Sequence, residues 1–118
     1  MRNNESKLQK TCIVWFRLQY PGLEKLLFAV PNGSKRDRIT AAILKSEGVV
    51  SGVADLILLI PKKGYASLCI EMKAGKNKQS DNQIAWQQTA EAAGNRYVVC
   101  RSFEEFKREV DFYLRKGE

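Results

Sequence analysis

The chain predicts an α/β fold, a mixed β-sheet of about four strands flanked by helices in the order α-β-α-β-β-α-β-α. Two observations predict it: apolar residues recur first at helical spacing and then in short continuous runs, and turn residues separate one pattern from the next. With 118 residues, 44% of them hydrophobic, the chain is read as one domain, 1–118, able to bury a packed core without disulfide or structural metal.

From residue 4 to about 20, Leu8, Cys12, Trp15, Phe16 and Gln19 follow a helical spacing that Pro21-Gly22 stops. The run 26–30 (LLFAV) predicts a short strand, closed by the turn residues Pro31-Asn32-Gly33. Ser34 opens a second helix to about Glu47, with Ile39, Ala42 and Ile43 turned to the core and Gly48 beyond its end. Leu56 to Ile60 predicts a strand buried on both faces. A turn at Pro61-Lys62-Lys63-Gly64 returns the chain into a strand over 67–73 (SLCIEMK). Ser80 and Gln83 form a capping box for a third helix running to Gly94. Another strand follows at 96–100 (RYVVC), and Ser102 with Glu105 opens a last helix whose stripe is Phe103, Phe106, Val110, Tyr113 and Leu114. The step through the third helix should be a right-handed parallel crossover.

Composition narrows the chemistry. The chain has no histidine, which excludes Ser-His and Cys-His nucleophile pairs and His-ligated zinc. Cys12, Cys69 and Cys100 are odd in number, widely spaced and set among apolar residues, so they read as buried free thiols in a reducing compartment. The N-terminal segment is polar and no apolar run is long enough to span a membrane, which predicts a soluble, cytoplasmic protein with no membrane partner. The net charge of +7 is uneven: +5 over residues 1–50 (nine Lys or Arg, four acids), +2 over 51–100 (six and four) and zero over 101–118 (five and five). Such a field favours encounter with a polyanion.

Two acids stand out by position. Asp55 directly precedes an apolar run, and Glu71-Met72-Lys73 closes a strand otherwise filled with Leu68, Cys69 and Ile70. Side chains alternate along a strand, so Cys69, Glu71 and Lys73 share one face and Leu68, Ile70 and Met72 the other. A hairpin turn centred on Lys63 sets Asp55 opposite Glu71. Taken singly, Glu71 with Lys73 is an ordinary ion pair at a sheet edge, and Asp55 a polar cap. Together they are two adjacent carboxylates at the end of a buried hairpin, a costly arrangement unless a cation lies between them. An all-oxygen site suits Mg²⁺ or Mn²⁺, with Lys73 placed to stabilise the charge that develops in phosphodiester hydrolysis.

The pattern Gly52-Val53-Ala54-Asp55, then 15 residues, then Glu71-Met72-Lys73 resembles the PD-(D/E)xK nucleases. Its surroundings resemble the VRR-NUC family within them: Pro31-Asn32-Gly33 followed by Arg36 and Arg38, Gly48-Val49 and Gly52 before the acid, and Ser80, Gln83 and Trp86 after the lysine. The likeness runs from about Glu5 to Leu114. It implies a restriction-endonuclease-like sheet, catalytic Asp55, Glu71 and Lys73, and a metal held by Asp55, Glu71 and the Met72 carbonyl. It further carries the helix glutamate of the family to Glu5 and its helix glutamine to Gln83. Ala54 departs from the pattern, which has proline there.

Lys35, Arg36 and Arg38 after the first turn, and Lys76 and Lys78 after the third strand, are the expected DNA-binding residues. Lys62 and Lys63 fall at the far end of the hairpin. Trp86 reads as core before it reads as a base-stacking platform. The resemblance implies a metal-dependent endonuclease of branched DNA such as four-way junctions, acting as a homodimer in a bacterial or phage-infected cell. Two other readings compete: a non-catalytic nucleic-acid-binding module, and a flap or restriction-type nuclease.

Overall fold

The computed structural model describes residues 2–31 and 38–115, with the side chains of residues 2 and 3 left aside. The elements follow the expected order: α1 (Arg2–Gln19), β1 (Leu27–Ala29), α2 (Arg38–Ser46), β2 (Leu56–Leu58), β3 (Leu68–Met72), α3 (Asp81–Ala92), β4 (Arg96–Cys100) and α4 (Phe103–Leu114). A 3₁₀ helix, Pro21–Leu26, joins α1 to β1, its proline at the start where no backbone donor is needed. The turn at Pro31-Asn32-Gly33 and the helix start at Ser34 lie wholly or largely outside the described residues. No helix among those described is long and apolar enough to cross a membrane.

The sheet runs β1-β2-β3-β4 in space, antiparallel at the first two pairings and parallel between β3 and β4. One face packs against α1 and α4. Leu56, Leu58, Leu68, Ile70 and Met72 meet Cys12, Phe16, Cys100, Phe106, Val110 and Tyr113 there, and almost none of their surface reaches solvent. The opposite face buries a smaller group, Ala54, Cys69 and Tyr97, with Ile57, Trp86 and Val99 packed around it. The strand alternation expected from the sequence thus holds, and Trp86, half-buried, packs against the smaller group. All three cysteines are buried free thiols, and burial pushes Cys12 and Cys100 up to about 12.

Caps fix where α3 and α4 begin. Ser80 accepts from the Gln83 backbone N–H and the Gln83 side chain accepts from that of Ser80, the reciprocal box the sequence predicts. At α4 the box is half formed. Ser102 accepts from the Glu105 N–H, but the Glu105 carboxylate reaches one residue further back, to the Arg101 N–H at 2.6 Å.

Two expectations need correction. None of the described side chains of α2 is buried: Ile39 and Ile43 are 74% and 51% exposed, and Ala42 is exposed too. Their spacing does produce an apolar stripe, but periodicity reports that a helix has such a face and says nothing of what covers it. The second strand is also shorter than expected. It ends at Leu58, and Leu59 is 56% exposed because the backbone kinks there, with the Ile60 N–H turning back to the Leu58 carbonyl.

That kink sets the register. Lys62 and Tyr65 bridge across a two-residue turn whose central residues, Lys63 and Gly64, both have positive φ, as a type I′ hairpin turn requires. Continued without interruption, this turn would pair Asp55 with Met72. Three residues (59–61) on the outgoing side oppose two (66–67) on the returning side, and this bulge restores Leu56 opposite Ile70. The expected pairing of Asp55 with Glu71 follows directly. A slip of one residue would have put the two acids on opposite faces.

Candidate active site

The acids are held by backbone as well as by register. The Asp55 carbonyl accepts from the Val30 N–H at 2.8 Å, and its carboxylate Oδ2 accepts from the Met72 N–H at 2.7 Å. Asp55 thereby ties β1 to β3 at the point where the preceding chain leaves the sheet. Glu71 is 1% exposed, and the Lys73 N–H donates to the Cys100 carbonyl, extending the β3-β4 ladder beyond Met72. The Lys73 ammonium lies 3.8 Å from Glu71 Oε2, with its side chain 11% exposed.

Gly52 explains how the approach to Asp55 is built. It has φ +86°, and a Cβ there would stand 2.4 Å from the Asn82 carbonyl oxygen at the start of α3. Only glycine permits both the backbone conformation and the contact. The Asn82 side-chain amide donates to Ser51 Oγ across the same junction. The loop before Asp55 and the N-terminal turn of α3 are therefore locked together, and α3 carries Gln83 to the acids.

Gln83 does two jobs with two ends. Its Oε1 accepts from the Ser80 N–H at 2.8 Å while its Nε2 donates to Glu71 Oε2 at 2.7 Å. The capping bond and the bond to Glu71 are made at the same time. The other oxygen of Glu71 accepts from the Tyr97 hydroxyl at 3.3 Å.

The electrostatics follow from this enclosure. Burial first, and then the charge on Asp55, pushes Glu71 up to about 8, against the opposing pull of Lys73. Asp55 is raised as well, chiefly by burial, with the Met72 N–H working the other way. Burial and the neighbouring Glu71 charge push the Tyr97 phenol far upward, so it stays a donor. The acidic pair thus resists carrying two negative charges, with one ammonium beside it and neutral donors around it.

The remaining expected site residues are placed as follows. Glu5, in the first turn of α1, accepts through Oε2 from the Ala74 N–H at 3.4 Å and from the Asn77 amide at 3.2 Å. It lies near enough to push both Asp55 and Glu71 upward, yet its bonds are to the loop after β3 and not to the pair. Arg101 holds the same loop from the other side, donating to the Gly75 and Asn77 carbonyls. Lys76 and Lys78 are exposed on that loop, and Arg38 is exposed at the start of α2. Lys35 and Arg36 lie outside the described residues. Lys62 and Lys63 sit at the far end of the hairpin, where the Lys63 ammonium donates to the Arg115 carbonyl. Among the described residues no group of three or more His, Cys, Asp and Glu side chains is assembled to hold a metal ion. The acids that meet are two.

Sequence reasoning missed Tyr97, Gln79 and Arg101. Tyr97 and Arg101 offered only polarity beside apolar neighbours, in RYVVC and directly after it, and Gln79, in the polar stretch 74–79, offered no signal.

Comparison with known proteins agrees with this fold. The VRR-NUC domain family model matches residues 3–104. A solved structure described as a VRR_NUC domain protein superposes with a TM-score of 0.82 at 24% identity, covering 93% of this chain and 87% of the other. No curated protein matches the chain. The family match spans most of the chain, from α1 into α4, and takes in Asp55, Glu71, Lys73 and Gln83; the chain belongs to the VRR-NUC family, nuclease-type domains of the PD-(D/E)xK superfamily.

Proposed function

We propose that the chain is a divalent-metal-dependent endodeoxyribonuclease that hydrolyses phosphodiester bonds in branched DNA, four-way junctions foremost. The observation that carries this reading is the Leu56–Ile70 register of a buried hairpin, which one residue further sets Asp55 opposite Glu71, with Lys73 3.8 Å from Glu71. The donor set fits Mg²⁺ or Mn²⁺. Two buried carboxylates, of which Glu71 is pushed up by the charge on Asp55, are a site a cation would relieve, and Mg²⁺ commonly takes one or two carboxylates and completes its shell with water. Asp55, Glu71 and the Met72 carbonyl are the proposed ligands. When bound, the ion would polarise a phosphate oxygen and lower the pKa of the attacking water.

The chain's own residues do the rest. Lys73 stabilises negative charge developing on the phosphate or orients the attacking water. Gln83 fixes one oxygen of Glu71 and keeps that carboxylate facing Asp55. Glu5 and Arg101 hold the loop that presents Lys76 and Lys78 to the phosphate backbone, with Arg38 a further contact. The preference for junctions and the pairing of two copies rest on the family resemblance. The exposed apolar stripe of α2, Ile39 and Ile43, is a surface that a second copy would cover.

The test sets purified protein against a labelled immobile four-way junction and its matching linear duplex, with Mg²⁺, Mn²⁺ or EDTA, beside Glu71→Gln. Metal-dependent paired nicks near the junction, absent in the variant, are expected. Equal cutting of junction and duplex would remove the junction preference. Salt-sensitive binding with no cutting under either metal would leave a nucleic-acid-binding module in place of a nuclease.

A further inference from the structure

We propose that Tyr97 is a positioning residue that sets the orientation of the Glu71 carboxylate for a divalent cation. The inference rests on Glu71 being a metal ligand, as argued above.

Tyr97 lies on β4, paired with Cys69, so its side chain rises from the same face as Glu71. The ring is 7% exposed and packed with Ala54, Cys69 and Trp86, the indole centroid 6.1 Å away. A ring so enclosed has no second place to swing to. Its hydroxyl is aimed as well: Gln79 Nε2 donates to it at 3.2 Å, which leaves the phenol O–H to donate to Glu71 Oε1 at 3.3 Å. Gln79 Nε2 also donates to Gln87 Oε1 at 3.0 Å, so the amide that aims the phenol is itself fixed from α3.

Glu71 thus accepts one neutral donor on each oxygen, Gln83 on Oε2 and Tyr97 on Oε1. Each carboxylate oxygen keeps a further lone pair, and neither donor cancels the charge a cation needs. A lysine or arginine in the place of Tyr97 would compete with the cation, and a phenylalanine would leave Glu71 Oε1 without its donor and the carboxylate held at Oε2 alone. Partners of this kind, bonded to a ligand and not to the metal, typically hold about 10- to 100-fold in metal affinity.

The experiment titrates Mn²⁺ into the full chain without DNA, followed by electron paramagnetic resonance and by calorimetry, for the unaltered protein, Tyr97→Phe, Gln79→Leu and Glu71→Gln. Cleavage is then measured against Mn²⁺ concentration. Tyr97→Phe keeps the ring and its packing. It is expected to weaken Mn²⁺ binding about tenfold while turnover at saturating Mn²⁺ stays within about threefold. Gln79→Leu, which frees the hydroxyl to rotate, should weaken binding by a smaller factor, about threefold. Unchanged Mn²⁺ affinity in Tyr97→Phe overturns the proposal, as does lost turnover at saturating metal with affinity intact. Glu71→Gln separates the two levels. If it loses binding while Tyr97→Phe keeps it, the metal site stands and the role of Tyr97 falls. If it binds Mn²⁺ like the unaltered protein, the metal assignment fails and takes the inference with it.

Discussion

The two faces of the sheet use the same strand for opposite purposes. All five residues of β3 are buried, yet Leu68, Ile70 and Met72 enter an apolar layer closed by α1 and α4, while Cys69 and Glu71 enter a thinner layer covered by α3. The first layer contains no charge. The second ends in two carboxylates and an ammonium. A buried carboxylate pair costs the fold stability, and the apolar layer behind β2 and β3 offsets that cost. On the proposed reading, alternate residues of β3 serve the fold and the chemistry. A substitution on the apolar face should then cost stability and spare the rate, while one on the acidic face should cost the rate and leave the protein folded.

Neighbours Ile70 and Glu71 give the sharpest form of that comparison. Glu71→Gln, and likewise Asp55→Asn, is expected to lower cleavage by on the order of a thousandfold, about 4 kcal/mol of transition-state stabilisation, with circular dichroism and cooperative unfolding retained. Ile70→Ala should cost about 3 kcal/mol of stability through the cavity it leaves, with the rate per folded molecule nearly unchanged. Denaturant unfolding and single-turnover cleavage on the same preparations check both. Equal losses of rate in the two variants would mean that the faces are not separable.

Lys73 tests the site face alone. Removing its ammonium leaves both proposed ligands, so Lys73→Ala should lower turnover about a hundredfold, near 2.7 kcal/mol, with the Mn²⁺ dependence of the rate little shifted. A shift of the whole Mn²⁺ curve with turnover preserved would instead make Lys73 part of how the cation is held.

How much of this could be read in the sequence follows the range of the interactions involved. Caps and strand alternation are local, so Ser80, Ser102 and the shared face of Glu71 and Lys73 were legible. The hairpin register was legible for an incomplete reason. The turn was centred on Lys63, whereas the chain turns tightly at Lys63 and Gly64 and recovers the same pairing through the bulge at 59–61. Tyr97 was not legible, because the β3-β4 register is set by how α3 packs in the crossover and no turn links the two strands. The α2 stripe was legible as apolar and misread as core, since its periodicity is the same whatever covers it.

The smallest effect discriminates most finely, because it uses the proton as a stand-in for the cation. Without metal, Glu71 holds its proton up to about pH 8 in the folded state, whereas in the unfolded chain it ionises near 4.5. Between these values the folded state binds more protons than the unfolded one, so the contribution of Glu71 is whole below about pH 4.5 and lost as pH rises toward 8, with a limiting slope of about 1.4 kcal/mol per pH unit. Asp55, also raised, adds a loss of the same sign at the acid end. In EDTA the protein should therefore be less stable at pH 8 than at pH 6, and Glu71→Gln should flatten that fall and be the more stable protein at pH 8. Mn²⁺ binds the deprotonated carboxylates, so it should flatten the fall in the unaltered protein and leave Glu71→Gln unmoved. Thermal or urea unfolding at the two pH values, with EDTA and with Mn²⁺, measures all four conditions. Parallel pH dependence in the two proteins would mean that the acidic pair is not where the destabilising charge of the sheet resides, and the contrast between the faces would fail at its origin.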